Sequence, residues 1–364
     1  MERVLKQFDI IGKIISYEIY GEGHINDTYL VFVENENKII KYILQKVNNN
    51  IFKNIPGLMN NIYLVTSFLK EQIIKANGNP DRETLNLVKT KDGQIYYFDL
   101  EEQKHYRLYL FVEDSLTLQN ASTKELFKES AYGFGKFQNL LASFDASQLI
   151  EVIPNFHNTK ERLNHFLKVL KEDKLGRAKE CQKEIDFILK RKDDCSIVVD
   201  LINEGKIPLK VTHNDTKLNN VLLDNTTKKA LCVIDLDTVM PGSSLYDFGD
   251  SIRFGCNSAA EDEKDLSKVN FLLDYFKAYA EGFLSEVKES LNEYELKYLA
   301  FGAKIMTLEC GIRFLDDYLD GDNYFKTHRE KHNLDRCRTQ LKLVAEMEKH
   351  LDEMNQIVFD LAIE

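Results

Sequence analysis

The run Val211-Thr212-His213-Asn214-Asp215-Thr216-Lys217-Leu218-Asn219-Asn220-Val221-Leu222-Leu223-Asp224 decides how the rest of the chain is read. A second acidic run follows it, Leu231-Cys232-Val233-Ile234-Asp235-Leu236-Asp237. Short apolar stretches rich in β-branched and Leu residues flank a polar loop, and the next such stretch ends on carboxylates. This pattern predicts strand, loop, strand, turn, strand over 209–237, with Asp, Lys and Asn delivered at strand ends.

Phosphoryl transfer from ATP needs this set of groups. A carboxylate must orient the attacking hydroxyl and take its proton, a task that fits Asp215. A carboxamide five residues on, Asn220, has the spacing to hold a magnesium ion. Lys217 places a cation where it can neutralise the moving phosphoryl group. Asp235, on the following strand, supplies the hard oxygen that magnesium prefers. His213 reads as a brace for the loop. An Asp/Asn-rich β-turn between two core strands is the bland alternative for any one of these residues. It does not account for all of them at this spacing.

Composition narrows the field. The chain has 364 residues, 43% of them apolar, enough for two domains with real cores. A net charge of −11 without a Lys/Arg cluster argues against a nucleic-acid or membrane partner. The six cysteines are scattered, with no Cys-x-x-Cys, and no signal peptide precedes them. Free thiols in a reducing cytoplasm are expected. No apolar run approaches the roughly 18 residues of a membrane span.

Residues 1–112 read as a β-rich lobe with one helix. Strands are expected at 17–20 and 28–33 around Gly21-Glu22-Gly23-His24-Ile25-Asn26-Asp27. Gly21 and Gly23 allow a sharp turn with amide groups close to a phosphate, although a plain hairpin needs no more. Residues 38–47 read as a third strand carrying Lys46, and period-two alternation leaves open whether the Lys46 or the Gln45 set meets a nucleotide. A helix over 55–75, a hairpin over 87–98 and a strand over 106–112 complete a five-stranded lobe. Residues 112–116, with Glu113, form the expected hinge for an adenine edge. From Ser122, a candidate cap, helices dominate: through 141, then 159–171, 177–191, 266–287, 291–319 and 334–361. Asp247 and Asp250 are expected to cap a helix and brace the catalytic loop. His328 and His332 have the spacing of a metal pair, lack a third ligand, and read as solvent-facing.

A β-rich front lobe, a hinge, a helical rear lobe and His213-x-Asp215-x-x-x-x-Asn220 with Ile234-Asp235 resemble the aminoglycoside phosphotransferase and choline kinase superfamily. The likeness spans nearly the whole chain. It implies an α+β, protein-kinase-like two-lobe fold: a small antiparallel β-rich nucleotide-binding lobe over 1–112 and a helical lobe over 113–364 with the catalytic loop and acceptor site. Longer stretches, 21–28, 211–221, 233–242, 246–250 and 313–326, are similar to the N-acetylhexosamine 1-kinases. That likeness implies ATP and an amino sugar as substrates with Mg2+, and Asp215 as base toward the anomeric hydroxyl. It further implies sugar contacts from Arg313 and Tyr324, a pocket wall from Phe254, and sugar or phosphate contacts from His24 and Asn26. Asp235-Leu236-Asp237 stands where protein kinases have Asp-Phe-Gly, which leaves Asp237 between a second metal contact and a strand-end brace. Without the resemblance, Arg313 reads as an ion pair with Asp316 or Asp317. The same fold acting on choline, an aminoglycoside or homoserine, and a nucleotide-binding regulator without turnover, are the alternatives.

Overall fold

The computed structural model describes residues 1–21, 25–119 and 122–363. Two compact units emerge. The first gathers Met1–Thr117, Ser143–Pro154 and Val221–Pro241; the second holds 118–142, 155–220 and the chain from 242 onward.

In the first unit, α1 (Glu2–Leu5) leads into β1 (Lys13–Ile19), β2 (Asp27–Asn35) and β3 (Lys38–Val47). Then come α2 (Ile55–Lys75), α3 (Pro80–Glu83), β4 (Leu87–Val88), β5 (Tyr97–Asp99), β6 (Lys104–Leu110) and β7 (Ser115–Leu116). The antiparallel sheet runs β1-β2-β3-β6-β4, with β5 also on β6, so it has six strands rather than the expected five. Glu36 and Asn37, at φ 47° and 66°, make the tight turn that joins β2 to β3. That left-handed pair matches the right-handed twist of the strands. The expected hairpin over 87–98 closes at Thr90 and Gly93, but its arms do not pair with each other. Both lie on β6, and Thr90 instead bridges to Phe8. Alternation sends Val31, Val33, Tyr42, Leu44, Tyr106 and Leu108 to one face, where they bury against Val4, Leu5 and Phe8. Asn54 caps α2 by accepting from the Gly57 amide, with Pro56 in the first turn, as the sequence suggests. Strands Val221–Asp224 and Ala230–Val233 pair with each other, and the former pairs with β7.

The second unit is helical. Its helices are α4 (Lys124–Leu140), α5 (Thr159–Glu172), α6 (Gln182–Leu189), α7 (Asp194–Asn203), α8 (Ser244–Gly255), α9 (Leu273–Val287), α10 (Glu293–Asp320), α11 (His332–Lys349) and α12 (Leu351–Ile363). Thr123, one residue beyond Ser122, caps α4. The stretch 177–191 divides into a short turn and α6, and 266–287 starts its α-helix only at Leu273. The single helix expected over 334–361 breaks at His350, whose carbonyl accepts the Met354 amide at 2.8 Å and opens α12. Met347 and Met354 stay buried on either side, so the apolar stripe crosses the break unaltered. The core centres on Phe248, Phe276, Tyr279 and Phe283, whose rings lie 5.4–6.2 Å apart.

Among the described residues, no helix is long and apolar enough to cross a membrane. All six cysteines are free thiols.

Candidate active site

The polar loop after Thr212 is held from beneath. Asp247, buried on α8, accepts the amides of His213 and Asn214 at 2.9 and 2.8 Å and the Gln138 carboxamide at 2.7 Å. Asp250, one turn on, accepts the Thr216 amide at 3.1 Å, and the Thr216 hydroxyl donates to the Asp247 carbonyl at 2.6 Å. Burial raises the Asp250 carboxyl's pKa, but the charges of Arg253, Lys217 and His157 and the Arg253 hydrogen bond outweigh it, so the net shift is downward. Ser243, not either aspartate, caps α8. The two acids therefore brace the loop and do not cap the helix. Asn214 sits at φ 63°, a left-handed position that Asn tolerates, with its carboxamide bonded to Thr212.

That scaffold concentrates chemistry at three side chains. The Lys217 ammonium lies 2.8 Å from Asp215 Oδ1. Asn220 Nδ2 donates to the Asp215 carbonyl at 2.8 Å. Burial works against the Lys217 charge, but Asp215 and then Asp250 outweigh it, and its pKa is raised. Lys217 is thus an ammonium throughout the physiological range. Fully buried His213 accepts the Asp215 amide at 3.2 Å through Nδ1 and packs against Phe134 and Phe137, a brace as expected.

In the first unit, Asp235 has a left-handed backbone, φ 60°, and opens the turn Leu236–Thr238. Asp237, two residues on, is 4% exposed and forms an ion pair with Arg107, itself 1% exposed. It also accepts the Asn26 carboxamide at 2.6 Å. Asp237 is therefore a brace. Burial opposes the Arg107 charge, yet Asp237 leaves its pKa raised. Gln45 accepts from Arg107 Nε at 2.9 Å, whereas Lys46 points to the face of Tyr42 and Leu44, 3.7 Å from Asp27 and 3.9 Å from Glu102. Lys46 is not the cation beside Asp237; Arg107 is, and the sequence reading did not single it out. An arginine inside the apolar strand Tyr106-Arg107-Leu108-Tyr109-Leu110 was the available signal, because such a charge is buried only when paired. Asn26 is likewise committed, its oxygen accepting the Asn48 amide at 3.0 Å. Gly21 has φ 76° and an open surround. Gly23 and His24 lie outside the described residues. Glu113 pairs with Lys41 at 2.7 Å, and its carbonyl takes the Arg82 guanidinium at 3.0 Å.

Two further sequence-selected residues, Arg313 and Tyr324, meet within the helical unit. The Arg313 guanidinium lies 5.4 Å from the Phe156 ring centre, 5.5 Å from Phe325 and 5.8 Å from Tyr324. The ion pairs expected for it are absent among the described residues. Asp316 binds His165, and Asp317 accepts the amides of Asn323, Tyr324 and Phe325 at 2.8–2.9 Å. Tyr324 is 66% exposed, and Phe254 is half-buried near the end of α8. His328 is exposed as expected, but His332 is buried, bonded to Asp262 at 3.0 Å and accepting the His328 amide at 3.2 Å, so only one of the two faces solvent.

Among the described residues, no group of three or more His, Cys, Asp or Glu side chains is arranged to hold a metal. The donor chemistry around Asn220 nevertheless suits a hard cation. Its Nδ2 is turned to Asp215, which leaves the carboxamide oxygen as the free end.

The sequence pattern of APH, the phosphotransferase enzyme family, matches residues 82–288, more than half of the chain. Solved structures with the same fold include an aminoglycoside phosphotransferase from Alicyclobacillus acidocaldarius, with TM-score 0.61, 12% identity and coverage of 99% of this chain and 96% of that one. A microcompartment-associated aminopropanol kinase matches at TM-score 0.57 and 14% identity, covering 97% of both chains. A choline kinase from Cryptosporidium parvum matches at TM-score 0.55 and 14% identity, covering 96% and 93%. At these identities the likeness is one of fold: an antiparallel β-rich part and a mainly helical part, protein-kinase-like in class.

Proposed function

Because this chain belongs to the phosphotransferase enzyme family, we propose that it is an ATP- and magnesium-dependent small-molecule kinase that phosphorylates the C1 hydroxyl of an N-acetylhexosamine, GlcNAc or GalNAc, giving the sugar 1-phosphate and ADP. The observation that carries the phosphotransfer reading is the convergence of Asp215, Lys217 and Asn220 on one loop braced by Asp247 and Asp250. The Asp215 carboxylate accepts the proton of the anomeric hydroxyl as that oxygen bonds to the γ-phosphorus and the bond to the β,γ-bridging oxygen breaks. Lys217 offsets the charge gathering beside it. Asn220 and Asp235 are the oxygen donors proposed for magnesium, which would neutralise phosphate charge.

Residues 1–112 are proposed as the nucleotide lobe, with Gly21, Gly23 and the hinge at Glu113 as its contacts; Lys46, on the sheet face opposite Gln45 and Arg107, is not among them. Residues 113–364 are proposed to carry the catalytic loop and the sugar site. The amino-sugar acceptor is supported by Arg313, whose fork of donors is free of carboxylates and framed by rings that pack well on a pyranose. Phe254 and His24 are proposed to border the same acceptor. Asn26, committed to Asp237 and the Asn48 amide, is not proposed to touch the acceptor.

The test is a panel of acceptors with labelled ATP, read by phosphorus NMR to locate the phosphate. An anomeric phosphate on GlcNAc or GalNAc is the expected result. Asp215→Asn should lower kcat about a hundredfold or more while ATP still binds. A near-normal rate in that variant would remove Asp215 from the role of base.

A further inference from the structure

Arg162, on α5, is unused by the reaction described above. Its Nε and Nη2 both donate to the Phe156 carbonyl, at 3.3 and 2.9 Å. The ring of the same Phe156 lies under Arg313. One residue therefore holds two guanidinium groups, one on its main chain and one on its side chain. Neither forms an ion pair among the described residues. The nearby carboxylates are turned to other groups: Glu309 to His157 at 2.9 Å and Thr159 at 2.6 Å, Asp317 to three main-chain amides, and Asp316 through Oδ2 to His165 at 2.8 Å, its Oδ1 being buried without a hydrogen-bond partner among the described residues. Burial first, and the Arg313 charge second, hold the Arg162 pKa below the ordinary arginine value, against the opposing pull of Glu309, Tyr324 and Asp316. The two cations thus act on each other, in a place where each is only partly in water.

We propose that Arg162 is a second specificity-determining guanidinium of the acceptor site, which together with Arg313 confines the acceptor to neutral or anionic, oxygen-rich molecules and turns away those carrying an amine. The inference rests on the acceptor-site reading of Arg313. An arginine stays charged at any working pH, so a protonated amine beside this pair meets two guanidinium charges, neither of them in a salt bridge among the described residues. An N-acetyl group removes that charge and presents a carbonyl oxygen, an acceptor for the guanidinium fork. Carboxylate-bearing acceptors satisfy the same chemistry.

The experiment compares kcat/KM for N-acetylglucosamine, glucosamine, glucuronic acid and choline in the full-length protein. The wild type should favour N-acetylglucosamine over glucosamine. Arg162→Gln should shrink that ratio about tenfold, whereas Arg162→Lys should keep it. The KM for ATP should stay unchanged in both. High salt should shrink the ratio in the wild type as well, an arm that stands if the glutamine variant does not fold. An unchanged ratio in Arg162→Gln, or equal losses for both sugars, would overturn the inference, since either would mean that Arg162 only supports Phe156. Turnover of glucuronic acid without turnover of N-acetylhexosamines would sink the proposed acceptor and leave the Arg162 inference standing. A preference for choline or glucosamine, or turnover of none of the panel, would sink both.

Discussion

Asp247 is 1% exposed, and its oxygens meet two consecutive main-chain amides and one side-chain amide. Burial raises this carboxyl's pKa, and the His213 charge and the three donors aimed at it pull the other way. Truncation by Asp247→Ala leaves those amides without acceptors in a dry place. The expected loss of stability is about 2–4 kcal/mol, measurable by urea denaturation. Activity should also fall, because the same amides set the backbone ahead of Asp215. A midpoint that does not move would show that the loop is held by other means. The residue scale also shows what a sequence conceals. Asp215, Lys217 and Asn220 were legible because they lie within one turn-rich loop, where spacing nearly fixes distance. Arg107 and Asp237 were not, because their contact closes over 130 residues of chain and no local period records it. Strand alternation could put Gln45 and Lys46 on opposite faces, yet only tertiary packing could say which face met Asp237.

Packing at the element scale turns on small residues. An added Cβ on Gly249 of α8 would lie 2.4 Å from the Gly302 carbonyl of α10, and one on Gly302 would lie 2.8 Å from the Leu245 carbonyl. The helices touch backbone to backbone, and backbone does not yield. Gly249→Ala should therefore destabilise the protein by about 1–3 kcal/mol and, by pushing α8, displace both Asp247 and Asp250. Thermal unfolding and kcat should fall together; a fully active, equally stable variant would contradict this account. The turn between Val221–Asp224 and Ala230–Val233 makes a separate prediction. Asp224 accepts the Thr227 and Thr226 amides, the Thr227 hydroxyl and Arg82, led by the Thr227 amide, and its pKa is lowered to about 2. A lowered carboxyl pKa gives stability that is present above the unfolded value of about 3.9 and is lost as pH falls toward 2. Wild type and Asp224→Asn should differ in unfolding midpoint near pH 6, with wild type the more stable, and converge near pH 2. A constant difference across that range would refute the linkage. Element boundaries were the least legible feature. The His350 break escaped periodicity because Met347 and Met354 keep one apolar stripe on both sides of it.

On the scale of the whole molecule, chain order and compactness part ways. A single carboxamide, Asn61 on α2, shows how: its Nδ2 donates to the carbonyls of Ile150 at 2.8 Å and Val239 at 2.9 Å, and its oxygen accepts the Ile150 amide at 3.1 Å. Three distant stretches are tied into the first unit by one buried side chain, and a polar residue inside an amphipathic helix gives no hint of that in sequence. The cysteines, by contrast, were read correctly from their scatter. All six are free, and burial pushes the Cys181 and Cys310 thiols up to about 11 and the Cys195 and Cys232 thiols up to about 12, with Cys256 and Cys337 also raised. Only the thiolate attacks an aromatic disulfide reagent, so at pH 8 these groups are doubly protected, by protonation and by packing. Native protein should release less than one equivalent of chromophore in the time that the urea-unfolded chain releases six. Adding nucleotide should change little, because the protection belongs to the cores of the two units rather than to a bound state. Rapid release of several equivalents from native protein would mean that the helical unit opens readily, since five of the six cysteines lie in it. A brace built on Asp247 and Asp250 could not then hold the loop from His213 to Asn220 still.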